Sequence, residues 1–127
     1  MKTLMLFISK NEQFDPQQIA LMLQEIPGTN NLKEGNFVGS ILECEFSDEN
    51  NFSLIRLSDD LETITISGMG GMGNASLKIS LEIQKRYPKP LRLIDSDYTF
   101  DLVLEKILSL SELRQKILES SSVQLSV

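Results

Sequence analysis

The run Gly68-Met69-Gly70-Gly71-Met72-Gly73 has the G-x-G-x-x-G spacing that lets backbone N–H groups approach a pyrophosphate at the start of a helix. It follows a strand-like stretch, Glu62-Thr63-Ile64-Thr65-Ile66-Ser67, precedes a helix-like one, and lies 22 residues before Asp95. In a dinucleotide-binding domain an acidic residue about 20 residues on holds the ribose. The strand pattern argues against that chemistry. A dinucleotide domain covers its first strand with helices on both faces and so needs a near-continuous apolar run. Here Ile alternates with Thr. Only one βαβ unit fits within these residues, and no substrate domain is expected after it. The glycines read instead as a connection that permits positive φ, with Met69 and Met72 covering apolar surface. A regulator that binds a nucleotide through loop 68–73, or another anion at the helix start from Asn74 to Ser76, is the alternative.

Asp95, Asp97 and Asp101 open like a calcium loop, but Phe100 stands where the turn glycine is required and Lys106 where the bidentate glutamate belongs. Solvated turn carboxylates are the expectation, and no metal is expected. Using the pair as acid and base on a sugar requires a deep cleft that a small, Trp-free chain is ill suited to build. Histidine is absent and Cys44 is the only cysteine. That removes Ser-His-Asp and Cys-His catalysis, zinc sites built from histidine or several cysteines, and intrachain disulfides. Cys44 lies between Leu42 and Phe46 with no basic neighbour in sequence, and reads as a buried small residue. No catalytic group and no cofactor is expected.

The net charge of -6 opposes binding to nucleic acid through phosphates and favours a cationic partner. Residues 43–62 hold seven acids (Glu43, Glu45, Asp48, Glu49, Asp59, Asp60 and Glu62) against Arg56 alone. Asp48, Glu49, Asp59, Asp60 and Glu62 are the candidate partner-binding residues. Gathered on a rigid sheet, they would steer a basic protein by long-range attraction. The alternative is that they are merely the solvated turns of a meander. No apolar run is long enough to cross a membrane, residues 1–8 make a poor secretion signal, and the cytoplasm is the expected location.

These residues need elements to hold them. The length of 127 residues suits one domain with its own core, with no repeat or linker. Residues 4–8 read as a buried strand. Asp15, Pro16 and Gln18 start a helix whose stripe is Ile19, Met22, Leu23 and Ile26, with Phe14 and Ile19 as a staple and Pro27-Gly28 as its stop. Three strands follow at 38–46, 52–57 and 62–67, joined by short polar turns as in an antiparallel meander. On the first of them Val38, Leu42, Cys44 and Phe46 share a face. Residues 74–87 alternate like a strand. They also form two helical stripes, Leu77 with Leu81 and Ile79 with Ile83, and the length and an Asn74 cap select the helix. Strands at 91–94 and 98–104 surround the aspartate turn. Ser109 and Glu112 box a last helix, stapled by Leu108 and Leu113, with a stripe of Leu110, Leu113 and Ile117 and a frayed tail at 120–127. The prediction is an α+β domain: a largely antiparallel sheet of five to six strands against three helices.

Residues 66–104, ISGMGGMGNASLKISLEIQKRYPKPLRLIDSDYTFDLVL, carry a glycine loop before a helix, a proline-terminated helix and the segment D-x-D-Y-x-F-D. In these features the chain resembles small bacterial immunity proteins of contact-dependent growth inhibition and related toxin systems. The resemblance covers about a third of the chain and carries no functional residue over. It implies a cytoplasmic protein that binds a cognate toxin domain, often a basic nuclease, and blocks its active site or substrate entry.

Overall fold

Period-two alternation gives the strands one apolar and one mixed face, and the apolar face sets where the helices go. The computed structural model describes residues 3–34, 39–49, 51–69 and 74–125. Its elements are β1 (Thr3–Phe7), α1 (Pro16–Glu25), β2 (Thr29–Glu34), β3 (Ser40–Asp48), β4 (Asn51–Ser58), β5 (Thr63–Met69), α2 (Asn74–Arg86), β6 (Arg92–Asp95), β7 (Asp101–Val103) and α3 (Leu110–Leu125). The strands form one sheet in the order β2-β3-β4-β5-β1-β6-β7. Every neighbouring pair is antiparallel. The fold is α+β.

On the inner face, Leu4 and Leu6 of β1 stand opposite Ile66 and Ile64 of β5, which stand opposite Ile55 and Leu57 of β4. All three helices pack on this face. Ile19, Met22 and Leu23 of α1, Ile79 and Ile83 of α2 and Leu113 of α3 join those strand residues in a single core. The helix chosen for residues 74–87 is present because both of its stripes are used: Ile79 and Ile83 are wholly buried and Leu81 nearly so. Phe14 meets Tyr87 edge-on at 5.3 Å, which closes α1 onto the end of α2. Asp15 caps α1 by accepting from the Gln17 N–H at 3.0 Å.

The sheet has seven strands among the described residues, against the five to six predicted. The addition is β2, whose sequence TNNLKE has no apolar alternation. It is an edge strand held by its ladder with β3 and by Thr29, whose hydroxyl lies 2.6 Å from the Leu23 carbonyl and 2.7 Å from that of Ile26. Of the strand expected at 98–104 only Asp101–Val103 pairs, because Tyr98 turns the chain with φ 57°. Helix α3 runs to Leu125. The expected inward position of Val38 and the glycines at 70–73 lie outside the described residues.

Strands β5 and β6 are both antiparallel to β1, so they run parallel to each other with β1 between them. Helix α2 carries the chain across, making a split βαβ unit. A dinucleotide domain pairs those two strands directly, and this sheet does not.

Candidate functional site

The five candidate carboxylates lie at the two turns flanking β4. Asp48 ends β3 and Glu49 follows it in the β3–β4 turn, while Asp59, Asp60 and Glu62 are in the β4–β5 turn. A strand of eight residues separates the two turns, a distance of roughly 25 Å. They therefore form two clusters at opposite ends of the sheet, not one acidic face. At the first end, Asp48 is tied to Lys78 Nζ at 2.7 Å, and that hydrogen bond raises the lysine's pKa. Glu49 occupies the left-handed turn position with φ 56°.

The second end keeps its charge. Asp60 Oδ1 accepts from the Ser58 hydroxyl at 2.5 Å and from the Glu62 N–H at 2.9 Å, and Ser58 Oγ accepts from the Thr63 N–H at 3.1 Å. The Ser58 hydroxyl, and after it the Glu62 N–H, hold the Asp60 carboxyl below the usual aspartate range. The turn is also anchored from outside: the Phe14 N–H donates to the Leu61 carbonyl at 2.6 Å, and Gln13 Nε2 donates to the Asp60 carbonyl at 3.0 Å. Beside it, Pro16, Glu34, Ser40, Ile41, Leu42 and Asp59 line a shallow depression. Ile41 is 38% exposed there. Among the described residues no lysine or arginine forms an ion pair with Glu34, Asp59, Asp60 or Glu62. Glu34 and Asp59 give the small apolar floor an anionic edge, and the fixed turn carries Asp60 and Glu62 as well.

The aspartates after α2 do not converge. Asp95 was expected to be a solvated turn carboxylate, and it is instead wholly buried. Its side chain accepts from the Thr99 N–H at 2.7 Å, from the Thr99 hydroxyl and from the Phe100 N–H at 3.4 Å. Burial is tolerated because these donors replace water, and the carboxylate shapes the turn that starts β7. Asp97 is exposed, and Asp101 forms a bidentate pair with Arg92. Cys44 is buried, and burial pushes its thiol up to about 11.

Sequence reasoning missed the sheet's outer face. There Lys33, Glu43, Arg56, Thr65, Met5, Ile94 and Asp101 are in register, one from each strand, as a single row across the sheet. Glu43 is 4% exposed. Its carboxylate accepts from Arg56 Nε at 3.1 Å, with Lys33 Nζ at 3.9 Å. Opposite charges placed across neighbouring strands were the signal, visible only once the register is known.

Comparison with protein-family models, with curated proteins and with solved structures finds no match to this chain. Among the described residues no helix is long and apolar enough to cross a membrane.

Proposed function

We propose that this chain is an immunity-type protein that binds a cognate bacterial toxin domain and blocks its activity. The observation that supports the reading is the β4–β5 end of the sheet. Asp59 of this turn and Glu34 at the end of β2 line an apolar depression, and Asp60 and Glu62 stand in the same turn as Asp59, which is fixed by Asp60, Ser58 and Leu61. A basic toxin domain gains long-range attraction to these carboxylates and loses little entropy docking on a turn already held in place. Asp48 and Glu49, at the far end, belong to a different surface.

The test is co-expression with the toxin domain encoded beside this chain, read as cell survival and as co-purification. Rescue and a stable complex are expected. Asp59→Lys with Glu62→Lys spares the hydrogen bonds of the Asp60 side chain, and should slow association with a basic toxin by about tenfold or more at low salt and flatten its salt dependence. Loss of both rescue and binding in the unaltered protein rejects the function. Rescue with unchanged association in the double variant keeps the function and moves the interface away from this turn.

A further inference from the structure

The outer face of the sheet carries the half-buried Met5, Phe7, Phe52 and Leu54, the exposed Val103 and, beneath them, the nearly covered Ile94, all outside the core that the three helices close. An apolar centre containing Met and Phe, edged by arginine-carboxylate pairs, has the composition of a protein interface. Charge selects the occupant. The chain carries a net charge of -6, yet the strand positions of this face balance Lys33, Arg56 and Arg92 against Glu43, Glu45 and Asp101. Two copies can meet here without the repulsion their acidic turns impose elsewhere. The row is also ordered, with Lys33 at its β2 end and Asp101 at its β7 end. A twofold axis parallel to the strands, lying in the interface in front of the central strand β5, sets each end over the opposite charge of a second copy.

We infer that the outer sheet face binds a second copy of this chain, with Thr65 of β5 near the dimer axis. Seven strands spaced about 4.8 Å apart and about 17 Å long present roughly 600 Å² in projection. Side-chain relief brings such a patch toward the ~800 Å² per partner of a standard stable interface. The β4–β5 turn lies at the strand ends, so this dimer leaves Asp59 and Glu62 accessible. The inference stands on the sheet face alone and does not depend on the immunity reading.

Sedimentation equilibrium of the full chain over a concentration series tests it, with a species of twice the 14.3 kDa chain mass expected to dominate at micromolar protein. Thr65→Lys sets two like charges at the axis and should weaken the dimer about a hundredfold, with circular dichroism confirming the fold. Lys33→Glu, on an exposed rim position, should weaken it about tenfold. If Thr65→Lys unfolds the chain, Lys33→Glu decides. A monomer at every concentration overturns the inference and gives the face to a different protein. A dimer unchanged in the folded variants overturns it as well.

Discussion

Two residues on β3 show how burial changes what a reactive group does. Cys44 is the only thiol in the chain, but its pKa of about 11 and its place under α1 leave it protonated and covered at pH 8. A disulfide exchange reagent at pH 8 should label Cys44 only as fast as the protein unfolds, and adding denaturant should bring the rate to that of a free thiol. Labelling of the native protein at the free-thiol rate would contradict this. Its neighbour Glu43 points the other way and is buried against Arg56, with Lys33 beside it, on a face without a helix. Removing Arg56 strands a desolvated carboxylate. Arg56→Met should cost about 2–3 kcal/mol in urea unfolding, and the pair Glu43→Leu with Arg56→Met should recover most of it, because a buried ion pair contributes less than its single deletions suggest. A double variant as unstable as the sum of the singles would contradict that account.

At the scale of elements, the turn after α1 is the tightest joint. Gly28 has φ +96°, and a Cβ there would stand 2.7 Å from the Ser47 carbonyl oxygen and 3.0 Å from the Phe46 ring. Gly28→Ala should cost about 2 kcal/mol or more. Gly39 shares the positive φ, at +91°, but has nothing within 4 Å, so Gly39→Ala should cost only about 1 kcal/mol. Thermal melts of the two variants check the order, and equal losses would mean that backbone strain outweighs the clash. Capping and stripes made α1, α2 and α3 legible from sequence, a continuous apolar run did the same for β1, and alternation between polar turns for β3, β4 and β5. Strand β2 was not legible, because its stabilisation comes from β3 and not from its own side chains. The acidic site was legible as composition only. Asp48 and Asp59 are close in sequence, and the strand between them carries them to opposite ends of the sheet.

For the whole molecule the decisive feature is the place of the first strand. β1 lies between β5 and β6, and its Leu4 and Leu6 are in the centre of the core. A chain lacking residues 1–8 should show no cooperative thermal transition by calorimetry, whereas one truncated after residue 119 should keep it with a lower midpoint. A cooperative melt of the first chain would show that the two halves of the sheet close without β1. Synthesis runs from the N-terminus, so β1 emerges before both of the strands it pairs with. At about 5–20 residues per second, the ~55 residues between Phe7 and Thr63 leave it waiting roughly 3–11 s, and β6 comes later still. In that interval β1 is an apolar strand without its partners, open to capture by a chaperone.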